Sequence, residues 1–262
     1  MTTALHKVSG RPVLSLRGLT QAHPHAQPDA AASLARHPFP LDGEQATTTA
    51  TTVGIRQLEQ AFKPAFGRLH VLQNLIIPMY EGSAVPTARF DVALVCEAGV
   101  YLFEVKGWRN AVVYRKTSQA LPRWFLRQRD HSLAREVKDP AWQCGRKTTH
   151  LRSLLPPDLR VQYFVLLPFE GVELQGVMPT AVITPQDLPY IARVARSNGR
   201  SEHGYPLLDD AAIDRTLQLL ADLQGDLTID DHLRNSRGMS ERNAAKGHAP
   251  RGPVHRGVLK LQ

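Results

Sequence analysis

The stretch at residues 89–108, RFDVALVCEAGVYLFEVKGW, constrains the fold more than any other part of the sequence. Two apolar runs flank a short Glu-Ala-Gly turn, which predicts a β-hairpin whose second strand is covered on both faces. Three charged residues interrupt these apolar runs: Asp91, Glu104 and Lys106. Because ionised groups on a buried strand cost free energy unless they are paired or bind a metal, these charges require a partner or a bound ion.

The register of this hairpin decides whether the three charges meet. Side chains alternate along a strand, so Glu104 and Lys106 project from one face. Residues that face each other in an antiparallel hairpin have a constant sum of residue numbers, and Asp91 shares the face of Glu104 only when that sum is odd. A two-residue turn, which we place at Ala98-Gly99, or a four-residue turn gives an odd sum, whereas a three-residue turn does not. A common acidic face is therefore feasible, and the sequence leaves it open.

Composition and charge limit the class of protein. The chain has 262 residues, 42% hydrophobic and 21% charged, as expected for a globular protein with one main folded domain. The net charge of +8 suggests a polyanionic partner, but residues 234–262 carry seven lysines and arginines against one acidic residue. No apolar run approaches the roughly 20 residues that span a bilayer, so we expect no membrane association. The use of only two cysteines favours a reducing compartment, and we expect a cytoplasmic location.

Helical and strand patterns alternate along the middle of the chain. They predict helices at 42–62, 139–155, 186–197 and 209–223, and strands outside the hairpin at 69–77, 111–115, 161–167 and 177–183. This order describes an α/β sandwich with a central mixed β-sheet. We predict four segments: 1–41, a disordered or accessory stretch; 42–185, the folded core; 186–233, C-terminal helices packed on the core; and 234–262, a basic disordered tail.

Residues 115–138 form a basic segment that contains the aromatic residues Trp124 and Phe125. Basic residues with interleaved aromatics suit a nucleic-acid backbone and a stacked base. A solvated strand pair with an aromatic anchor explains the pattern equally well. On the helix that follows, Gln143, Lys147 and His150 share a face. The candidate nucleic-acid contacts are Arg115, Lys116, Arg123, Arg127, Arg129 and Lys147.

Two carboxylates on neighbouring strands can hold Mg²⁺, which prefers oxygen ligands and keeps several waters. Asp91 and Glu104 are the candidate ligands, and the backbone carbonyl of Val105 is a third. A metal in this position lowers the pKa of bound water and neutralises charge on a phosphodiester oxygen. Lys106 could position or help deprotonate the attacking water.

The hairpin resembles the core of the nuclease-related domain (NERD) family, within the PD-(D/E)XK, restriction-endonuclease-like group. The sequence HVLQNLIIP at residues 70–78 resembles the first strand of that family. The sequence DPAWQCGRKTTHLRSLL at residues 139–155 resembles its Asn-Pro-x-x-Gln helix, with Asp139 in place of asparagine. The resemblance covers residues 42–185 and implies a PD-(D/E)XK-like α/β/α sandwich.

The resemblance also implies a function and a set of site residues. It implies a Mg²⁺-dependent nuclease, in which Mn²⁺ can substitute, that hydrolyses phosphodiester bonds in DNA rather than RNA. Asp91 and Glu104 correspond to the metal ligands and Lys106 to the catalytic lysine. Gln143 corresponds to a helix residue that faces the site, and Glu44 to the acid of the first helix.

Two further hypotheses remain open. The chain could be a non-catalytic nucleic-acid-binding or scaffold module on the same fold, because a fold does not fix a function. Alternatively, Glu104 and Lys106 could form a purely structural ion pair within one strand. Such a pair in a covered strand must offset a desolvation cost of several kcal/mol, which disfavours the structural hypothesis.

Overall fold

The computed structural model describes residues 44–117, 122–129, 134–198 and 205–245, with side chains described from residue 48 to residue 238 of those ranges. The helices are α1 (Glu44–Phe62), α2 (Pro140–Leu154), α3 (Leu188–Asn198), α4 (Asp210–Gln224) and α5 (Ile229–Ala245). The strands are β1 (Leu69–Pro78), β2 (Thr87–Cys96), β3 (Gly99–Val105), β4 (Ala111–Lys116), β5 (Arg123–Gln128), β6 (Ala134–Val137), β7 (Val161–Leu166), β8 (Glu173–Gln175) and β9 (Val182–Ile183). None of the described helices is long and apolar enough to cross a membrane.

The main sheet has the strand order β1-β2-β3-β7-β9. Strand β2 is antiparallel to both of its neighbours, β1 and β3, whereas β7 and β9 continue the sheet parallel to β3, so the sheet is mixed. Helices α1 and α3 cover one face, and α2 and α4 cover the other. The predicted α/β/α sandwich with a central mixed sheet is therefore confirmed.

Strand β3 lies at the centre of this sandwich, and its side chains pack into the hydrophobic cores on both faces of the sheet. Phe103 packs with Phe62 of α1 on one face, and Leu102 packs with Leu151 of α2 on the other. Because both faces are covered by helices, a strand here must be apolar throughout, which explains the sequence pattern. The charged side chains of Glu104 and Lys106, at the end of β3, therefore lie at the edge of the hydrophobic core.

A second sheet, β6-β5-β4-β8, packs beside the main one. Trp124 is 1% exposed and belongs to the core between this sheet and α2, so it is not the stacking residue that the sequence suggested. The strand predicted at 177–183 is reduced to Val182–Ile183, and the short strand β8 precedes it. Helix α5 runs to Ala245, so the disorder predicted from residue 234 is wrong over that stretch. Residues 1–41 and 246–262 lie outside the described part of the chain.

The hairpin turn is Glu97-Ala98, because Cys96 pairs with Gly99. The predicted turn, Ala98-Gly99, is off by one residue at each end. Both turns have two residues and give an odd sum, so the paired residues of the hairpin keep their predicted faces although each partner shifts by two positions. The observed register continues Val92↔Phe103 to place Asp91 across from Glu104.

Gly99 supplies a first testable prediction. It has φ +113°, and a Cβ there would lie 2.3 Å from the carbonyl oxygen of Arg160, which also accepts the backbone N–H of Val100. We expect Gly99→Ala to lower the free energy of unfolding by at least about 2 kcal/mol in urea denaturation. Gly82→Ala is the matched control, because Gly82 has φ +81° but no atom within 4 Å of its added Cβ, so only the backbone cost of about 1 kcal/mol applies. Equal losses in the two variants would contradict the steric argument.

Candidate active site

The hairpin strands part at Asp91, and this opening forms the candidate site. Strand β2 pairs with β3 only as far back as Val92, whereas it pairs with β1 down to Thr87. Beyond the last β2–β3 residue pair, the Asp91 side chain replaces the β2 backbone as the hydrogen-bond acceptor for β3. Its Oδ2 accepts the backbone N–H of Val105 at 2.8 Å. The carboxylate is thereby fixed between two strands that diverge.

The neighbouring strand is distorted at the same level. The β1–β2 pairing lacks one residue pair, Asn74 with Asp91, and the same register continues on both sides of this gap. Asn74 has φ 54°, a left-handed conformation that asparagine tolerates better than most residues. In consequence Leu72 and Leu75, three residues apart, contact the same core. Such backbone outliers cluster at functional sites, and this one lies opposite the buried carboxylate.

Two lysines from different elements hold the Glu104 carboxylate. Lys106, at the end of the same strand, donates from Nζ to Oε1 at 2.8 Å. Lys147 of α2 donates from Nζ to Oε2 at 2.5 Å and to the backbone carbonyl of Arg89 at 2.7 Å. The ring of Phe90 lies 5.2 Å from the Lys147 Nζ. Glu104 therefore has an ammonium group on each oxygen.

Asp91 is 3% exposed, and its pKa is raised above the usual aspartate value. Burial is the main cause, and the negative charge of Glu104 raises the pKa further. The guanidinium of Arg89 opposes the shift, because it donates to Oδ1 of Asp91 at 3.0 Å. Asp91 accepts the backbone N–H of Val105, the residue that follows Glu104, and the hairpin has the odd sum of residue numbers that a common acidic face requires.

The charge of Glu104 is stabilised much more strongly than that of Asp91. Burial on its own would raise the pKa of Glu104, but the ammonium groups of Lys147 and Lys106 outweigh burial and hold the pKa well below its usual range. Burial likewise disfavours the charge of Lys147, and Glu104 outweighs it and raises the lysine pKa. At neutral pH the site thus combines a firmly ionised glutamate with an aspartate that is easier to protonate.

Residues 51–168 match the family model described as the nuclease-related domain (NERD). This part of the chain is a nuclease-related domain. The match contains the whole of the hairpin and α2, and therefore all five charged residues described at the opening, whereas α3, α4 and α5 lie beyond it. Neither the curated proteins nor the solved structures gave a match to the chain. The family that the sequence suggested is confirmed.

The NERD domain places Lys147 differently from our prediction. The sequence suggested a nucleic-acid contact, but the Lys147 ammonium lies in the site, bonded to Glu104. Arg89, which contacts Asp91, was not predicted at all. A signal for Lys147 was present, because it shares a helix face with Gln143, which we expected to face the site. Arg89 gave the weaker signal of a basic residue two positions from a buried acid.

All the predicted site roles keep the status of predictions, including those of three further residues. Gln143 lies half-buried on α2, one turn before Lys147. Val105 is next to Asp91 through its backbone N–H, and the use of its carbonyl as a metal ligand remains untested. Glu44 is the first residue of α1, and its side chain lies outside those that are described.

The basic residues of the second sheet do not surround the carboxylates. Lys116 lies over the stacked rings of Tyr114 and Phe125, 5.9 and 5.7 Å from their centroids. Two of the arginines pair with acids, Arg123 with Glu136 and Arg129 with Glu173, and Arg115 donates to a backbone carbonyl. Arg127 lies half-buried on β5. These residues form a surface of their own on the second sheet.

The chemistry of the donor set fits Mg²⁺ or Mn²⁺. Asp91 and Glu104 offer carboxylate oxygens, and each oxygen keeps a lone pair beyond the one used by its present partner. Among the described residues, no group of three or more His, Cys, Asp or Glu side chains is placed to hold a metal ion. Mg²⁺ is commonly bound through one or two carboxylates with waters completing its shell, so two are sufficient.

Burial raises the pKa of the Cys144 thiol to about 12, so this thiol stays protonated at neutral pH.

Proposed function

We propose that this NERD domain is a metal-dependent nuclease that hydrolyses phosphodiester bonds in DNA, with RNA the less favoured substrate. The observation that carries the proposal is the placement of two acids at the point where the hairpin strands part. Asp91 accepts the backbone N–H of Val105, the residue that follows Glu104, and Lys106 donates to the Glu104 carboxylate. Buried acids are rarely brought together without a cation to share them. The NERD match supports a nuclease-related function for the same residues.

In this proposal each side chain has a role set by its contacts. Asp91 and Glu104 bind a divalent cation, which when bound supplies Lewis-acid charge and makes water more acidic. Lys106, whose Nζ is anchored on Glu104, orients the attacking water and screens the scissile phosphate. Arg89 holds Asp91 in place and favours its ionised form.

The second sheet is the surface that we propose for the nucleic-acid backbone. Lys116 and Arg127 lie close to the stacked Tyr114–Phe125 pair, which offers an aromatic surface between cations. Cations interleaved with aromatic rings suit a phosphate backbone and its bases. Arg123 and Arg129 already pair with acids, so we expect them to contribute less.

A cleavage assay tests the proposal. We expect the purified chain to cut plasmid or linear DNA in Mg²⁺ or Mn²⁺, and to be inactive in EDTA. Asp91→Asn, which keeps the shape but removes the charge, should lower the rate at least about 100-fold, because a metal ligand is lost. Cleavage that persists undiminished in EDTA, or in Asp91→Asn, would remove the proposed site.

A non-catalytic nucleic-acid-binding module is the second candidate. The specific observation in its favour is that Glu104 is already neutralised by two lysines, which suits a structural charge cluster. This alternative expects salt-sensitive DNA binding that survives Glu104→Ala, no cleavage with any divalent ion, and no change in melting temperature on adding Mn²⁺.

A further inference from the structure

An exposed aromatic groove lies on α2 beside the candidate site. Its volume is about 700 Å³, in the range of pockets that take small ligands. Trp142 is 60% exposed and Tyr80 is 49% exposed. Large aromatic side chains are normally buried, so two in one groove indicate a binding surface. The groove, here called the α2 groove, is lined chiefly by Tyr80, Trp142, Gly145, Arg146, His150 and Tyr163.

Arg146 organises the α2 groove. Its guanidinium lies 5.0 Å from the centroid of the Trp142 ring, and its NH2 group donates to the hydroxyl of Tyr80 at 3.1 Å. The rings of Tyr80 and His150 meet edge to face at 5.9 Å. The aromatic rings are therefore held in place by a cation, and an exposed positive charge lies among them.

Glycine makes room for the floor of the groove. A Cβ on Gly145 would lie 3.0 Å from the hydroxyl oxygen of Tyr163, so a side chain at this position would require the Tyr163 ring to shift by a few tenths of an ångström. Glycine inside a helix costs about 1 kcal/mol relative to alanine. The chain accepts this cost where Tyr163 approaches α2 from β7.

The α2 groove and the candidate site both use side chains of α2. Arg146, which lines the groove, is followed directly by Lys147, which contacts Glu104. Adjacent side chains on a helix point about 100° apart. Arg146 can therefore line the groove while Lys147, on the adjoining face of the same helix, contacts Glu104. A strand bound in the groove can therefore extend to the carboxylates.

We propose that the α2 groove binds single-stranded DNA, with Trp142 stacking on an unpaired base and Arg146 contacting the adjacent phosphate. Exposed aromatics beside an arginine suit this ligand because every base has a face for stacking and every linkage carries a negative charge. Bases in a duplex are already stacked on one another, so the groove discriminates against paired DNA. The inference rests on the proposed function, since it assigns the form of substrate that approaches the same site.

Tryptophan fluorescence tests the inference directly. The chain has three tryptophans, and Trp108 and Trp124 are buried, so quenching by added ligand reports on Trp142. We expect oligo(dT) in EDTA, where metal-dependent cleavage is suppressed, to quench the wild-type signal. Trp142→Ala should weaken oligo(dT) binding about tenfold by anisotropy and leave binding of a duplex of equal length unchanged.

The matched control is Tyr190→Ala. Tyr190 is also an exposed aromatic under an arginine, with Arg193 at 5.5 Å, but it lies on α3 on the opposite face of the sheet. It should leave oligo(dT) binding unchanged. Absence of quenching, an equal loss on duplex DNA, an equal loss in Tyr190→Ala, or a larger Trp142→Ala effect on oligo(U) than on oligo(dT) would each overturn the inference.

The two proposals fail in different ways. In one outcome oligo(dT) quenches the wild-type fluorescence, Trp142→Ala loses that quenching, and no metal-dependent cleavage is seen. This outcome would support single-stranded DNA binding in the α2 groove and contradict the proposed nuclease activity. Metal-dependent cleavage of duplex DNA at equal rates in wild type and Trp142→Ala, without quenching, would retain the nuclease and remove the groove.

Discussion

Glu104→Gln is expected to abolish metal-dependent DNA cleavage, with a loss of at least about 100-fold in rate. The amide keeps the shape of the side chain but loses the charge that binds a divalent cation and anchors Lys106. The measurement is the initial rate of DNA cleavage at saturating Mn²⁺, compared with wild type. A variant that cuts within a few-fold of the wild-type rate would show that Glu104 is not a metal ligand.

The same substitution should destabilise the protein, so it needs a stability control. Glu104→Gln leaves the ammonium of Lys147 in a largely buried position without its carboxylate, which costs about 3 kcal/mol or more. The double variant Glu104→Gln/Lys147→Met removes both charges and should recover most of that loss in urea denaturation. It should remain inactive. Recovery of activity together with stability would contradict the assignment of Glu104 to the metal.

Lys147→Met is expected to raise the affinity for Mn²⁺ by about tenfold. The Lys147 ammonium lies 2.5 Å from Glu104 Oε2, and a cation bound to the same carboxylate must repel it. Methionine has a similar length without the charge, so it fills the space beside Phe90 and removes the repulsion. The measurement is Mn²⁺ binding by isothermal titration calorimetry in the full-length chain.

The control for that measurement is Arg215→Met, which removes one exposed positive charge from α4. It changes the net charge equally and should leave Mn²⁺ affinity unchanged, because exposed distant charges are screened by salt. An equal gain in the two variants would mean that net charge acts and not the contact with Glu104. Unchanged affinity in Lys147→Met would show that the metal does not bind at Glu104.

The parts of the fold that depend on local sequence could be predicted closely. Asp139 followed by Pro140 predicted the start of α2, and the Asp139 carboxylate does accept the backbone N–H of Trp142 at 2.9 Å. The doubly apolar pattern of β3 predicted a strand between two layers of helices. The odd sum of residue numbers in the hairpin could likewise be predicted. Any two-residue turn within this stretch that begins one position earlier or later changes the sum by two, so the sum stays odd.

The parts that depend on contacts distant in sequence could not be predicted. Lys147 is 43 positions from Glu104, and nothing local distinguishes it from a solvent-exposed helical lysine. The position of Trp124 in a core follows from the packing of a second sheet, which short basic strands do not reveal. Helix α5 has few apolar residues, and its contact with the main sheet at Thr87, through His232, is set by tertiary structure.

The position of a bound metal tests the central claim most directly. We expect a crystal of the full-length chain soaked in Mn²⁺ to give an anomalous difference peak that contacts both the Asp91 and the Glu104 carboxylates, with the Lys147 ammonium displaced from Glu104 Oε2. A well-ordered site that shows Glu104 still paired with both lysines in saturating Mn²⁺, and no peak at Asp91, would contradict the proposed metal-dependent nuclease.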